Sequence, residues 1–395
     1  MRVLFAPDSF KGSITAADAA AALARGWRSA RDSDEIDRVP LADGGEGTLD
    51  VLAAAVPGAR WHPATVTGPA GAPVSSAWLE LPGGAAVIEL ARASGLPMLS
   101  RLDPLGAQTT GTGELIGLAL DGGATAVSLA IGGSASTDGG TGALTALGAS
   151  FLDGEGAVLP SGGGGLRRLA SADLSGLRPA PLGGVRCLTD VTAPLLGPLG
   201  AAAAFGPQKG AGPEQIAELE SGLAQLARVL GGDPEAPGAG AAGGTGYGFA
   251  AAWGAVVVPG AAELGQIAGL PAAIARADLV VTGEGRYDQT SGTGKVTGTV
   301  LAAAAAAGVP SAVVAGCIAA ELPAGCEAGI SLTTLAGGEA RAQQAAAHWL
   351  EAAGRALAAL SLGKLQDDGP DRTCGPGRTA ELGGECDSRT WGHSP

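Results

Sequence analysis

The sequence has little lysine, little histidine and few aromatic residues. Of its 24 basic residues only four are lysines, histidine occurs three times, and aromatic side chains make up 3% of the 395 residues. The net charge is −14, which argues against a nucleic-acid-binding protein, because such proteins neutralise phosphates with a basic stripe. With so few aromatics the core must be built from Ala, Val, Leu and Gly, a composition typical of α/β proteins.

The cysteines and histidines lack the spacing of a zinc site or of a disulfide framework. The five cysteines form no CxxC pair and the histidines lie far apart, so we expect reduced thiols and no zinc. The apolar run at the start is too short for a secretory signal, and the uncharged stretch 300–320 is interrupted by Gly308-Val309-Pro310. These features predict a cytoplasmic protein without a membrane segment.

A repeated order of strand, loop and helix predicts a doubly wound α/β fold. Thr15, with Asp18 three residues on, predicts the start of the first helix. Polar, glycine-rich loops follow five short, mostly apolar segments, which are residues 2–7, 36–40, 126–131, 185–188 and 278–282. Because open α/β sheets bind ligands beyond the carboxyl ends of their strands, we expect these loops to carry the functional site.

The pattern changes after residue 66, where alternating strands replace the strand and helix units. We therefore expect one α/β domain formed by residues 1–66 and 285–365, and an inserted mixed α/β domain formed by residues 67–284. Residues 366–395 lack periodicity and are rich in Gly, Pro and charge, which predicts a disordered tail.

Three of the four lysines, Lys11, Lys209 and Lys295, lie in glycine-flanked loops. A compact ammonium beside bare backbone amides suits phosphate oxygens, although an exposed surface lysine is the ordinary alternative. The loop Gly132-Gly133-Ser134 offers backbone N–H groups to an anion, and Ser9 adds a hydroxyl donor. No Walker A motif surrounds Lys295, which excludes the P-loop NTPase class.

Acidic residues recur in the same loops. Phosphoryl transfer needs carboxylates that hold Mg²⁺ and a carboxylate that accepts the hydroxyl proton. Asp43 and Asp190 are the strongest candidates, because each follows an apolar strand and precedes a turn, although Asp in such turns is also ordinary turn chemistry. Arg286 is suited to bind a carboxylate or a phosphate through two nitrogens. The other candidate acids are Asp8, Glu46, Asp138, Glu284 and Asp288.

Eight sequence blocks occur in the order of a known family. The blocks are APDSFKGS (6–13), LADGGEGT (41–48), IELARASGL (88–96), GTGELI (111–116), IGGSASTDGGTGALTALG (131–148), FGPQKGA (205–211), GAGAAGGTGYG (238–248) and GEGRYDQTSGTGK (283–295). In these blocks the chain resembles the type I glycerate kinase family over residues 1–365. The resemblance implies ATP-dependent phosphorylation of glycerate with Mg²⁺, to 2-phosphoglycerate more often than 3-phosphoglycerate. It also implies two α/β domains, one flavodoxin-like and built from both chain ends, the other inserted.

The roles of individual residues within these blocks are working hypotheses. Lys11 and Lys295 are expected to hold phosphates, Asp43 to accept the hydroxyl proton, and Arg286 to anchor the glycerate carboxylate. Two acids, Asp190 and Glu284, are expected to position Mg²⁺. The residues expected to bind ATP are Ser9, Gly132, Gly133, Ser134, Lys209 and Lys295.

The chain departs from the family pattern at Thr137 and Ala193, where the family usually has Asn. Two alternatives therefore stay open, a kinase of another small hydroxy acid or sugar acid, and a silent nucleotide-binding homologue. The expected partners are small molecules, with no nucleic acid and no membrane. The oligomeric state is left open.

Overall fold

The chain divides into two compact units. The computed structural model describes residues 1–292, 295–367 and 380–382. The first unit comprises Met1–Ala42 and the chain from Leu264 onward, and the inserted unit comprises Asp43–Glu263.

Strands and helices are numbered here in chain order. The strands are β1 (Arg2–Phe5), β2 (Glu35–Arg38), β3 (Arg60–Thr67), β4 (Pro73–Glu80), β5 (Ala85–Glu89), β6 (Ala126–Ala130), β7 (Ser150–Asp153), β8 (Leu169–Asp173), β9 (Val185–Leu188), β10 (Val256–Val258), β11 (Leu279–Tyr287), β12 (Ser311–Ile318), β13 (Cys326–Ser331) and β14 (Ala380–Leu382). The helices are α1 (Ala16–Arg28), α2 (Thr48–Ala55), α3 (Ala91–Ser94), α4 (Thr110–Asp121), α5 (Thr141–Ala146), α6 (Ala201–Phe205), α7 (Pro213–Leu230), α8 (Ala241–Trp253), α9 (Gly260–Ile267), α10 (Leu270–Ile274), α11 (Val296–Ala306), α12 (Leu332–Ala336), α13 (Glu339–Gln344) and α14 (Ala346–Asp367).

The first unit contains a parallel sheet in the order β2-β1-β11-β12-β13-β14. Counted along this unit, the first five strands have the order 2-1-3-4-5, which is the flavodoxin-like arrangement. The order of the strands reverses between β1 and β11, and ligands of such folds bind beyond the carboxyl ends of the strands at that point. The expected flavodoxin-like domain is therefore confirmed.

Glycine allows two helices of this unit to pack closely. A side-chain carbon added to Gly26 on α1 would lie 1.9 Å from the carbonyl oxygen of Glu351 on α14. One added to Gly354 on α14 would lie 2.2 Å from the carbonyl oxygen of Leu23. The two helices therefore pack backbone to backbone, as the scarcity of aromatics requires. The predicted cap is also present, since Thr15 Oγ1 accepts a hydrogen bond from the Asp18 N–H at 3.2 Å.

The inserted unit contains a mixed sheet in the order β10-β9-β6-β5-β4-β3. Strands β10, β9, β6 and β5 pair in parallel, whereas β4 pairs antiparallel with both β5 and β3. A separate antiparallel pair is formed by β7 and β8. The inserted domain is thus mixed α/β, as expected.

The unit boundaries differ from the expected positions near residues 66 and 285. Strand β3 begins at Arg60 and pairs with β4, so the inserted unit begins before residue 66. Strand β11 begins at Leu279 and pairs with β1 and β12, so the return to the first unit comes before residue 285. Composition located the insertion, but strand pairing, which a single sequence does not show, sets its limits.

The predicted disordered tail, residues 366–395, lies mostly outside the described residues. Residues 366–367 instead end helix α14, and residues 380–382 form strand β14 beside β13. The prediction of disorder for the remainder of this segment stays a prediction.

Three cysteines lie among the described residues. Cys187 and Cys326 are buried free thiols, but Cys317 is disulfide-bonded, so the expectation of reduced thiols fails at that residue.

Among the described residues, no helix is long and apolar enough to cross a membrane.

Asp34 ties α1 to the strand that follows it. Its carboxylate accepts hydrogen bonds from Trp27 Nε1 at 2.9 Å and from Arg31. Burial by itself opposes ionisation of this carboxyl, but the bonds from Arg31, Trp27 and the amino group of Met1 outweigh it and lower the pKa of Asp34 to about 2. A carboxyl whose pKa is lower in the folded state stabilises the fold above its unfolded pKa.

We predict that Asp34→Asn lowers the free energy of unfolding at pH 7 by about 1 to 2 kcal/mol. The difference from wild type should shrink as pH falls from about 4 to about 2, because the wild-type carboxylate then takes up its proton. Urea unfolding at several pH values measures both effects, with the exposed Asp32→Asn as control. A difference that is constant over this pH range would contradict the account.

Candidate active site

The loop 43–47 of the inserted unit lies at the carboxyl ends of the parallel strands β6 and β9. The Gly132 N–H, just beyond β6, donates to the Gly44 carbonyl at 3.0 Å. Gly44 has a φ of 89°, and a side-chain carbon there would lie 2.7 Å from the Leu188 carbonyl oxygen at the end of β9. Only glycine fits this position, because other residues rarely adopt this φ and would also clash.

Asp43 and Asp190 lie close together in this region. The Asp43 carboxylate accepts a hydrogen bond from the Gly45 N–H at 3.0 Å. Burial, followed by the negative charge of Asp43, raises the pKa of Asp190 to about 7. The N–H groups of Gly260 and Ala261 at the start of α9 oppose this rise, the Ala261 N–H at 3.4 Å from the carboxylate. The two strongest acidic candidates from the sequence therefore share one site.

Glu89, at the end of β5, holds the other side of the same loop. Its side chain is buried, with 3% of its surface exposed, and accepts hydrogen bonds at 3.1 Å from the N–H groups of Gly47 and Leu49. Burial raises the pKa of Glu89, against the opposing effects of these N–H groups and of Arg92. The sequence analysis did not select Glu89, although an acidic residue that ends the apolar run AAVIE is a signal that could have found it.

The loop Gly132-Gly133-Ser134 continues from β6 and packs against loop 43–47. Gly133 has a φ of 75°, and a side-chain carbon there would lie 3.1 Å from a carboxylate oxygen of Glu46. Ser134 Oγ accepts from the Ser136 N–H at 3.1 Å and lies 3.0 Å from Ser136 Oγ. The predicted glycine and serine residues are therefore adjacent to the predicted acids of the inserted unit.

Lys209 lies behind this loop and is buried, with 2% of its surface exposed. Its ammonium donates to the Ser136 carbonyl oxygen and, at 3.5 Å, to Thr137 Oγ1. Burial lowers the pKa of Lys209 to about 8, while the charge of Asp138 acts in the opposite direction. These contacts show Lys209 bonded to the glycine and serine loop itself, where the sequence predicted an ATP ligand.

Asp138 is held by hydrogen bonds within the inserted unit. Its carboxylate accepts hydrogen bonds from the backbone N–H and hydroxyl of Thr109, at 3.0 and 2.7 Å, and from the Gly140 N–H at 3.0 Å. The side chain is fully buried. It joins the start of α4 to the start of α5 and so stabilises the loop that follows β6.

The first unit carries its own set of predicted residues beyond β1 and β11. The Asp8 N–H donates to the Gly283 carbonyl at 2.8 Å, which places the opening block beside the middle of β11. Ser9 donates its N–H to the Asp8 carboxylate at 2.6 Å, and Lys11 is exposed in the following turn. These residues therefore lie at the β1 and β11 reversal point of the flavodoxin-like sheet.

Glu284 is a buried carboxylate on β11. Its side-chain oxygen Oε1 is inaccessible to solvent and has no hydrogen-bond partner among the described residues. Burial raises the pKa of Glu284, while Ser291, Thr297 and Lys295 favour its charged form. A buried, unsatisfied carboxylate oxygen costs free energy, and a bound cation would remove that cost.

Arg286 and Lys295 lie on either side of the turn that follows β11. Arg286 Nε donates to Asp288 at 3.3 Å, whereas its buried Nη1 has no hydrogen-bond partner in the described part of the chain. Lys295 precedes the first residue of α11, and its ammonium donates to Thr290 Oγ1 at 3.0 Å. Helix α11 therefore begins with a positive side chain next to the positive end of its own dipole.

No cluster of three or more His, Cys, Asp or Glu side chains that could hold a metal is present within residues 1–292, 295–367 and 380–382. Mg²⁺ does not require such a cluster, because proteins often bind it through one or two carboxylates together with substrate phosphates. The Asp43 and Asp190 pair and the unsatisfied oxygen of Glu284 fit this manner of binding.

Comparisons with known proteins agree with this chemistry. The family model for the glycerate kinase family matches residues 3–362. The chain is 43% identical over 305 residues to glycerate 2-kinase of Escherichia coli K12, covering 75% of this chain and 80% of that protein. It is 40% identical over 373 residues to glycerate kinase of Bacillus subtilis 168, covering 91% and 97%.

A solved structure assigned as glycerate kinase 2 from Salmonella typhimurium LT2 is also similar. It superposes with a TM-score of 0.79 at 37% identity, covering 93% of this chain and 99% of that one. The family model, which matches residues 3–362, extends through both units of the chain and includes the blocks that carry the predicted acids and lysines. The chain belongs to the glycerate kinase family.

Proposed function

We propose that the chain transfers the γ-phosphoryl group of ATP to the 2-hydroxyl group of glycerate, giving 2-phosphoglycerate and ADP. Membership of the glycerate kinase family supports this reaction, and so does the E. coli relative named glycerate 2-kinase. The observation that carries the proposal is the pair of Asp43 and Asp190 at the carboxyl ends of parallel strands. Phosphoryl transfer to an alcohol needs a carboxylate acceptor for the hydroxyl proton.

Asp43 is the proposed acceptor of that proton. Its carboxylate is oriented by the Gly45 N–H at 3.0 Å, and its negative charge acts on the nearby Asp190. As the glycerate oxygen bonds to the γ-phosphorus, the bond from that phosphorus to the leaving ADP oxygen breaks and the hydroxyl proton passes to Asp43. The positions of these groups supply orientation, which is a large part of catalysis in such reactions.

The proposed Mg²⁺ ligands are Asp190 in the inserted unit and Glu284 in the first unit. Support comes from the proximity of Asp190 to Asp43 and from the unsatisfied Oε1 of Glu284. When bound, Mg²⁺ supplies positive charge that neutralises the phosphate oxygens in the transition state. Asp190 and Glu284 are proposed as Mg²⁺ ligands separately, each from the contacts of its own unit.

Backbone amides and cations are proposed to bind the phosphates and the glycerate carboxylate. In the inserted unit these groups are the N–H groups of Gly132 and Gly133 and the hydroxyl of Ser134. Lys209 stabilises the segment that follows them through its hydrogen bonds to Ser136 and Thr137. In the first unit they are Ser9, Lys11 and Lys295 for phosphate and Arg286, with its unsatisfied Nη1, for the carboxylate. An arginine nitrogen without a partner is suited to a charged acceptor.

The departure at Thr137 does not favour a different acceptor. Thr137 is fully buried and its hydroxyl lies within 3.5 Å of the Lys209 ammonium. It therefore acts inside the loop and not on its exposed surface. We propose a cytoplasmic enzyme whose partners are the small molecules ATP and glycerate.

An assay that couples ADP release to a colour change tests the reaction and the acceptor together. We expect turnover with D-glycerate, ATP and Mg²⁺ and little with tartronate or lactate. Tight ATP binding without ADP release for any of these acceptors would contradict the kinase proposal and favour a silent nucleotide-binding protein.

We predict that Asp43→Asn lowers kcat by on the order of 10²- to 10⁴-fold, because the amide accepts no proton. The exposed Glu155→Gln, which changes charge in the same unit, serves as control and should keep the wild-type kcat. The same coupled assay measures both variants. An Asp43→Asn variant with normal kcat would show that another group accepts the proton.

We also predict that Asp190→Asn and Glu284→Gln each raise the Mg²⁺ concentration required for half-maximal rate by on the order of 10-fold or more, since each loses a charged oxygen ligand. Titrating Mg²⁺ at saturating ATP measures the shift, again with Glu155→Gln as control. If either variant keeps the wild-type Mg²⁺ dependence, its residue is not a ligand.

A further inference from the structure

The loop 43–47 has little intrinsic preference for one conformation. Three of its five residues are glycines, and two of them, Gly44 and Gly47, have φ values of 89° and 85°. Glycine loses more conformational freedom on folding than any other residue, and ordering one residue costs roughly 1–2 kcal/mol. Contacts from outside the loop must therefore hold Asp43 where it acts.

One such contact is backbone to backbone. The Gly132 N–H donates to the Gly44 carbonyl at 3.0 Å and fixes the start of the loop to the end of β6. Gly44, whose carbonyl accepts this bond, directly follows Asp43 in the sequence. It leaves the far end of the loop, where helix α2 begins, to be fixed by something else.

Glu89 fixes that far end. Helix α2 begins after Gly47, which has no side chain to cap the helix. The two carboxylate oxygens of Glu89 instead accept the N–H groups of Gly47 and Leu49, both at 3.1 Å. A carboxylate from another strand therefore performs the capping that a Ser or Asp in the loop would normally perform, and it interacts favourably with the helix dipole.

Neighbouring residues hold the Glu89 side chain in turn. Arg92 Nε lies 3.6 Å from a Glu89 oxygen, and the Arg92 guanidinium lies 5.1 Å from the centre of the Trp61 ring. Arg92 also pairs with Asp50 on α2. The charge of Glu89 is thus compensated although the side chain is buried, and its two acceptor bonds are directed at the loop.

We infer that Glu89 is a positioning residue for the phosphoryl transfer, which acts by fixing the loop that carries Asp43. The inference rests on the proposed function in so far as Asp43 is the proton acceptor. Glu89 contributes through geometry and does not itself contact the reacting atoms. A small displacement of a catalytic group is enough to lower a rate on the order of 10²-fold.

The test compares Glu89→Gln with Glu114→Gln. Glu114 is a matched control because its carboxylate also accepts two hydrogen bonds within the inserted unit, from the N–H and the hydroxyl of Thr67 at 2.7 and 2.8 Å. Those bonds lead to β3 and not to loop 43–47. Glu89→Gln places an amide nitrogen against one of the loop N–H groups, so one bond is lost without a change in side-chain size.

We expect Glu89→Gln to lower kcat on the order of 10- to 100-fold with little change in the KM for ATP, while Glu114→Gln keeps the wild-type kcat. In an Asp43→Asn background, Glu89→Gln should lower kcat much less than it does in wild type, because residues that act through one another are not additive. Equal effects in both backgrounds, or a fall in thermal stability with unchanged kcat, would overturn the inference.

Hydrogen exchange separates this inference from the proposed reaction, since it needs no turnover. In Glu89→Gln the amides of a peptide that covers Gly47 and Leu49 should exchange faster than in wild type and in Glu114→Gln. If wild type fails to phosphorylate glycerate but the exchange result holds, the proposed function fails and the fixing of the loop stands. Unchanged exchange would overturn the role of Glu89.

Discussion

The proximity of Asp43 and Asp190 is the electrostatic constraint on which the proposed chemistry depends. Burial and, after it, the negative charge of Asp43 make ionisation of Asp190 costly and raise its pKa to about 7. The start of α9 reduces the cost by directing N–H groups at Asp190. A bound cation would reduce it further, so this arrangement of carboxylates favours Mg²⁺.

Glycine makes this arrangement possible and also makes it costly to order. The loops 43–47 and 132–134 approach each other at distances that a side-chain carbon would prevent, such as the 2.6 Å between a carbon added to Gly132 and the Gly45 Cα. Backbone amides can therefore line the site. Buried charges then hold these segments in place: Glu89 bonds to the end of loop 43–47, and Lys209 bonds to Ser136, two residues beyond loop 132–134.

The repeated strand and loop pattern predicted the α/β class, and the family resemblance implied the flavodoxin-like unit; both are confirmed. Asp43 and Asp190 were selected because each follows an apolar strand and precedes a turn, which are local features, and their roles stay predictions. The limits of the two units depend on the pairing of β3 with β4 and of β11 with β1, which a single sequence does not show. Burial is a tertiary property, so the sequence did not show that Lys209 is enclosed, and the same reason explains why Glu89 was not selected.

The most direct test of the account is the ³¹P NMR spectrum of the products formed from D-glycerate, ATP and Mg²⁺. The account predicts equal amounts of ADP and of one phosphomonoester whose phosphorus couples to the single proton on C2 of glycerate. A phosphomonoester coupled to the two protons on C3 would contradict the assigned hydroxyl group. A spectrum in which ATP is unchanged would contradict the phosphoryl transfer itself.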